Sequence, residues 1–361
     1  MSRVLIVGKG PPDRGGIPTF IATLHRSPLA RDHVITFLNV PHHDVPEGGA
    51  ATIANVRRTL ADALAVYRAA RDQDIVHVRS ALAPTVTVVR AAVLSVAARL
   101  AGSAVVVHAH GDNIETWLSG RFRRNLLRLC ILPAGRVVAV WTAGEQMLRA
   151  TLGPDKVRLV DIGVHVADFT PTGTPHNPPR VLYVGLLTPR KGVLDLLAAS
   201  RAVQERGVSH ELWLVGGTPD EGPQAEAAVR SAARDDHVRL VGSRPPEEMA
   251  GTYGEGDVFC LPSWWEAMPL SVLEAMASGL PVVATDVGDV SRAVQDGRTG
   301  FVVPAHSSDA LAAALEKLLR DDDLRVSMGR AGRARAESLF CSTATAHAIA
   351  AVYAELLEDH R

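Results

Sequence analysis

The chain has 361 residues, a length that favours two domains over one. At 47% apolar and 21% charged residues it has the composition of an ordinary globular protein, and a net charge of −1 argues against wholesale nucleic-acid binding. Three isolated cysteines, Cys130, Cys260 and Cys341, exclude a disulfide framework or a zinc knuckle and fit a reducing cytoplasm. The charge is unevenly shared. Residues 1–170 hold 20 Lys+Arg against 13 Asp+Glu (+7) and residues 171–361 hold 18 against 26 (−8), a division that suggests two lobes with different tasks.

The first residues, "RVLIVG", read as a buried strand with no charged n-region ahead of them, so no leader peptide is expected. Further short apolar runs follow at helix-length intervals: "HVITFLNV", "DIVHV", "SAVVVHAH", "RVVAV" and "KVRLVDIG", then "RVLYVG", "HELWLVGG", "HVRLVGS", "DVFCLP", "LPVVAT" and "TGFVV". Strands apolar on both faces and separated by helices mean parallel sheets covered on both sides. Two such sets predict an α/β protein of two doubly wound domains, with ligands beyond the carboxyl ends of the strands in a central cleft. The longest apolar stretch, "AAVLSVAARLAGSAVVVHA", is cut by Arg99 and Gly102 and reads as helix, turn and strand.

After the first strand, "GKGPPDRGGIPTF" carries glycines at 8, 10, 15 and 16, but Asp13 stands where a G-x-G-x-x-G fingerprint needs its third glycine. A dinucleotide site is therefore disfavoured. Gly15-Gly16 before a helix suits close approach of a phosphate or sugar, and a structural tight turn is the alternative. "VVVHAHGD" ends a strand with His108 and His110; without further ligands a single His110 facing the cleft fits better than a metal pair, and a hydrogen-bonded structural histidine is the alternative. "RFRRNLLRLCIL" (121–132) sets Phe122, Leu126 and Leu129 opposite arginines. It reads as an ordinary surface helix or as a contact to an anionic membrane surface or lipid-linked acceptor.

Residues 169–180, "FTPTGTPHNPPR", hold four prolines and no apolar periodicity, and read as the linker between a first domain of 1–170 and a second of 171–344. An amphipathic helix at about 345–361 is expected to pack back on the first domain. In "VLYVGLLTPRKGVLDLLAA", Arg190 and Lys191 precede Gly192 and a helix, a position that suits a diphosphate, with ordinary basic loop residues as the alternative. In "SWWEAMPLSVLE", Pro269 suits the first helical position with Met268 as a poor N-cap, leaving the amides of Leu270 and Ser271 for an anion. Glu266 above that turn and Glu274 below it are placed to accept from polyol hydroxyls, and a helix with one acid before it and one on its surface is the plainer alternative for this stretch alone.

The stretch "GDVFCLPSWWEAMPLSVLEAMASGLPVVATDVGDVSRAVQDGRTGFVVP" closely resembles the signature of retaining glycosyltransferases of family 4, whose two-domain fold is called GT-B; the E-x7-E element runs from Glu266 to Glu274. "LYVGLLTPRKGVLDLLAA", "LWLVGGTPDE" and "HVRLVGSRPPEEMAGTYGEGDVF" fall in the family's order, and "GGIPTF", "VVVHAHG" and "LVDIGVHVADFTP" are similar to its first-domain landmarks. The resemblance spans nearly the whole chain and is strongest over 180–305. It implies two Rossmann-like domains facing a cleft, with the nucleotide sugar on the second and the acceptor on the first. Glu266 then contacts the donor sugar, as does His110. Ala267, Met268, Leu270 and Ser271 hold sugar and phosphate, Glu274 the ribose, Lys191 and Gly16 the diphosphate, and Ser243 and Arg244 the base, with Gly216 among the donor-binding residues.

The sequence departs from the family in three places. Leu186 stands where an arginine commonly follows the strand-end glycine, so that Arg190 is the candidate replacement; "IGVH" (162–165) replaces "NGVD"; and "EAMP" replaces "EGFG". The implied reaction is a retaining transfer of a sugar from a UDP- or GDP-linked donor to an acceptor hydroxyl, in surface-polysaccharide, glycolipid or natural-product biosynthesis. No cofactor and no essential metal are expected, because "DQD" (72–74) and "DDD" (321–323) read as solvated caps. A cytoplasmic protein, peripheral to the inner face of a membrane where 121–132 touches it, is the implied location. A GT-B-like sugar-nucleotide epimerase or hydrolase is the alternative. A nicotinamide oxidoreductase and a non-catalytic sugar-nucleotide binder rank below it.

Overall fold

Each of the twelve apolar runs coincides with one strand of the computed structural model, β3 running two residues past its run, and the structure describes residues 1–10, 16–40, 52–110, 114–171, 175–217 and 223–360. The first six are β1 (Arg3–Gly8), β2 (Val34–Asn39), β3 (Ile75–Ser80), β4 (Ala104–Ala109), β5 (Arg136–Ala139) and β6 (Val157–Leu159). The second six are β7 (Arg180–Val184), β8 (Glu211–Val215), β9 (Val238–Gly242), β10 (Val258–Leu261), β11 (Val282–Thr285) and β12 (Gly300–Val303). They form two six-stranded sheets of order β2-β1-β3-β4-β5-β6 and β12-β11-β10-β7-β8-β9, and every described pairing is parallel.

The burial follows from that layering. β4 is buried at all six positions and β10 and β11 at all four, as helices on both faces require, whereas the edge strands β2 and β9 have no fully buried residue. In each sheet the chain reverses its direction of travel once, between β1 and β3 in the first and between β7 and β10 in the second. Outside the carboxyl ends at such a reversal, the connecting loops diverge to opposite faces and leave a crevice, which is where doubly wound sheets bind ligands.

The chain divides into one unit of Met1–Ile162 with Ser342–Arg361 and a second of Gly163–Cys341. Residues 163–170 thus group with the second unit rather than ending the first, because Val164 bridges Cys341 and Arg333 donates to the Phe169 carbonyl at 2.6 Å. The helix Ser342–Glu358 belongs to the first unit. Its Ile349, Val352, Tyr353 and Leu356, spaced to share one face, are all buried, and Glu355 pairs with Arg158 at 2.8 Å and Arg136 at 3.3 Å. Among the described residues no helix is long and apolar enough to cross a membrane.

Candidate functional site

The reversal of the second sheet gathers most of the residues picked out from sequence. A short turn, Pro189–Lys191, follows β7, and Gly192 then enters the helix Val193–Glu205 with a left-handed φ of 67°. A side chain there is excluded twice: by that φ, and because a Cβ would lie 1.9 Å from the Pro262 carbonyl oxygen at the end of β10. With the two strand ends this close, the Trp264 amide donates to the Arg190 carbonyl at 2.9 Å and the Trp264 indole N–H donates to Asp195 Oδ2 at 2.7 Å.

Lys191 Nζ consequently reaches Glu266 Oε1 at 2.5 Å, and the Ser263 hydroxyl donates to the same oxygen at 2.7 Å. Both charged side chains are largely buried, Lys191 at 17% and Glu266 at 10% exposure. Ser263 is itself held through its carbonyl, which accepts from Thr285 Oγ1 at 2.5 Å. From behind, Gly288 (φ 54°) lies so close that a Cβ on it would sit 2.1 Å from the Glu266 carbonyl oxygen and 2.5 Å from that of Ala267. The neighbouring Asp289 amide donates to the Ala267 carbonyl at 2.8 Å. Backbone packed on backbone thus presents Glu266, Ala267 and the buried Met268 in one fixed loop.

The helix after this loop is Leu270–Ala277, with Pro269 as its N-cap at φ −76°, ψ 118°. The expected N-cap, Met268, is displaced by one residue: the extended ψ of Pro269 starts the helical turn only at Leu270. No side chain caps the helix, and Leu270 and Ser271 head it, while the Val272 amide is taken by the Pro269 carbonyl at 3.2 Å. Glu274, on the same helix, does not share a partner with Glu266. Its Oε2 accepts from the buried Tyr253 hydroxyl at 2.7 Å. Burial pushes its carboxyl above the ordinary range against that hydrogen bond, and burial together with Glu274 pushes the Tyr253 phenol well up.

The other donor-side residues stand at neighbouring strand ends. Gly216 follows β8 at φ 148°, where a Cβ would meet the Gly185 carbonyl oxygen at 1.7 Å. Beyond β9, Ser243 is exposed and the half-buried Arg244 pairs with Glu248 at 3.0 Å. Of the acidic triplets, Asp321 caps the helix Asp322–Leu339 through the Leu324 amide at 2.9 Å, and Asp74 Oδ2 accepts from the Arg3 amide at 2.6 Å. Among the described residues no group of three His, Cys, Asp or Glu is arranged to hold a metal ion.

In the first unit, Gly16 begins the helix Gly16–His25; the loop before it lies outside the described residues. His110 stacks on His108 at 4.5 Å between ring centroids, and its Nε2 accepts from Arg79 Nε at 2.9 Å. His108 Nδ1 meets His77 Nε2 at 3.0 Å, and His77 Nδ1 meets the Tyr353 hydroxyl at 2.6 Å. Both His77 nitrogens, His108 Nδ1 and His110 Nε2 are thus committed to neighbours, while His108 Nε2 is buried without a partner among the described residues. Burial pushes His77 down to about 3, and burial followed by nearby cationic and imidazole groups holds His108 and His110 well below the usual range, so all three are neutral at neutral pH. Arg79, His77 and Tyr353 were not anticipated from sequence. In the segment 121–132 Leu127 and Cys130 face inward, Leu126 is half-buried, and Phe122, Leu129 and Leu132 are exposed.

Residues 178–321 match the family model Glycosyl transferases group 1. The matched segment contains Lys191, Ser263, Glu266, Glu274 and Gly288. A D-inositol 3-phosphate glycosyltransferase of Corynebacterium glutamicum (strain R) is 32% identical over 276 residues, covering 71% of this chain and 65% of that protein. The chain spans about half to two thirds of the length of the curated relatives it matches. Among solved structures, a sucrose-phosphate synthase from Thermosynechococcus elongatus aligns with a TM-score of 0.78 at 21% identity, covering 99% of this chain and all of that one. The Anabaena protein HepE in complex with UDP-glucose aligns with a TM-score of 0.76 at 17% identity, over 98% and 100% of the two chains. At such identities the likeness is one of fold, and the fold is GT-B, two Rossmann-like domains.

Proposed function

We propose that the protein is a retaining glycosyltransferase that moves a sugar from a nucleotide diphosphate donor, UDP- or GDP-linked, to an acceptor hydroxyl. The observation that carries this reading is the Lys191–Glu266–Ser263 cluster at the reversal of the second sheet, inside the matched segment. UDP-glucose in a protein of the same fold supports a nucleotide-sugar donor. In this reading Lys191 and the uncapped start of the helix Leu270–Ala277 stabilise the leaving diphosphate, with Arg190 beside them in place of the arginine absent at Leu186. This is electrostatic stabilisation where negative charge develops, supplied by groups already positioned. Glu266 and Met268 orient the sugar, Glu274 accepts from ribose hydroxyls, Ser243 and Arg244 meet the base, and His110 and Gly16 act from the first domain. No divalent ion takes part, the acceptor belongs to the first domain, and the exposed apolar residues of 121–132 rest against a membrane surface.

The test is a screen of nucleotide sugars, read by thermal shift and by release of nucleotide diphosphate with and without candidate acceptors. Release that requires an acceptor marks a transferase; acceptor-independent release marks a hydrolase, and sugar inversion without release an epimerase. Glu266→Ala is expected to cut turnover at least about 100-fold while the nucleotide still shifts the melting temperature. Near-normal turnover in that variant refutes the role of Glu266.

A further inference from the structure

The reversal of the first sheet holds a cation with no visible partner charge. Arg79 is the penultimate residue of β3, beside β1, where Gly8 leaves room for it: a Cβ on Gly8 would stand 3.1 Å from that of Arg79. The side chain is 8% exposed. Its guanidinium lies 4.5 Å from the centre of the Phe20 ring, and its Nε–H is spent on the neutral His110. Nη1 and Nη2 are both buried and have no hydrogen-bond partner among the described residues. Burial draws the group down to about 9, and no carboxylate among the described residues opposes that shift.

Other buried or half-buried arginines of this chain show what a structural role looks like. Arg333 donates to the carbonyls of Phe169 and Ala277, Arg335 to those of Ala293 and Arg292, and Arg325 to those of Leu318 and Leu319, while Arg90 pairs with Asp62 at 2.8 Å. Each closes a turn or neutralises an acid. Arg79 does neither. A buried charge left without partner or acceptor is strongly unfavourable, so its retention calls for a partner beyond the described residues. Two adjacent Nη groups in one plane match two oxygens of one oxyanion, and Lys cannot reproduce that fork.

We propose that Arg79 is the anchor of an oxyanion site in the first domain, which takes the phosphate or carboxylate of the molecule bound there. That this molecule is the sugar acceptor rests on the proposed function; the oxyanion site itself does not. His110, which accepts from the Arg79 Nε–H through Nε2, carries its own proton on Nδ1 and fixes the plane of the fork.

The experiment uses the full chain, Arg79→Met and Arg79→Lys, melted in anion-poor buffer and with increasing inorganic phosphate, acetate or UDP. Wild type is expected to show a saturable rise in melting temperature with phosphate or acetate, whichever matches the site. Arg79→Met is expected to lose that rise, and Arg79→Lys to need about tenfold more anion. In anion-poor buffer Arg79→Met melts at or above wild type, because the variant removes an unpaired buried cation. UDP stabilises wild type and Arg79→Met equally. A melting temperature several degrees below wild type for Arg79→Met, with no anion response in wild type, marks a structural arginine and overturns the proposal; so does an anion response that survives in Arg79→Met. An anion response without any UDP response overturns the nucleotide-sugar reading and leaves the oxyanion site standing.

Discussion

Lys191→Met leaves Glu266 with the Ser263 hydroxyl as its one remaining partner of the cluster and with no cation. Removing one member of a buried ion pair costs about 3–5 kcal/mol, because the charge left behind stays desolvated. Lys191 and Glu266 keep 17% and 10% of their exposure, so the lower end applies, about 3 kcal/mol. For a unit of this size about 2–4 °C of melting temperature corresponds to each kcal/mol, which gives a fall of about 6–12 °C for the second unit. Glu266→Gln strands Lys191 in the same way but leaves an amide oxygen that still accepts from it, so its loss is smaller. The double variant removes both charges and returns to within about 1 kcal/mol of wild type. Differential scanning calorimetry of the full chain is the assay, since it resolves the two units where one two-state fit does not apply. A Lys191→Met protein that melts within about 1 °C of wild type refutes the pairing argument. Added UDP separates fold from function: if the diphosphate takes Lys191 as its counter-charge, UDP stabilises wild type and Glu266→Gln but not Lys191→Met. Stabilisation that persists in Lys191→Met removes Lys191 from the diphosphate site.

Gly288→Ala puts a methyl 2.1 Å from the Glu266 carbonyl oxygen at a φ of 54°, so it displaces the 266–268 loop; turnover is expected to fall at least about 100-fold with the fold retained, and unchanged kinetics would sink the bracing role. The neutral histidines make stability depend on pH. Their folded pKa values lie below the unfolded value of about 6.5, so their contribution is complete above that pH and is lost as pH falls toward the folded values. From pH 7 to 5.5 the fully buried His77 and His108 together remove about 2.5 kcal/mol, measured as a lower urea midpoint for the first unit, and a midpoint independent of pH contradicts their buried neutral state. Activity is expected to persist in excess chelator, and complete loss restored by a divalent ion refutes metal independence.

What was legible in the sequence is what burial writes locally. A strand covered on both faces needs a continuous apolar run, so all twelve strands could be placed from the order of residues alone. Lys191 and Glu266 were legible because each follows such a run just before a helix, where doubly wound sheets bind ligands. Their mutual contact was not, since a spacing of 75 residues carries no register. Gly288 looked like any turn glycine; only the Glu266 backbone lying against it distinguishes it. The Met268 cap was misplaced because a proline fits either N1 or the position before it, and its ψ decides which. Tyr353 meets His77 across 276 residues, from a helix whose apolar stripe shows that it packs but not where.

Arg79 shows why composition alone under-reads a site. In "DIVHVRS" it passes for the polar end of a strand, and its charge disappears into the +7 of residues 1–170. Each sheet places a cation at the carboxyl end of a central strand where the chain reverses direction, Arg79 within the end of β3 and Lys191 beyond β7. In the second sheet an acid meets that cation and a hydroxyl meets the acid, so the cation is neutralised before a ligand arrives. In the first sheet no described carboxylate meets it. Among the described residues Arg79 is therefore an unneutralised positive charge in a low-dielectric position, which is why the proposed ligand is an anion.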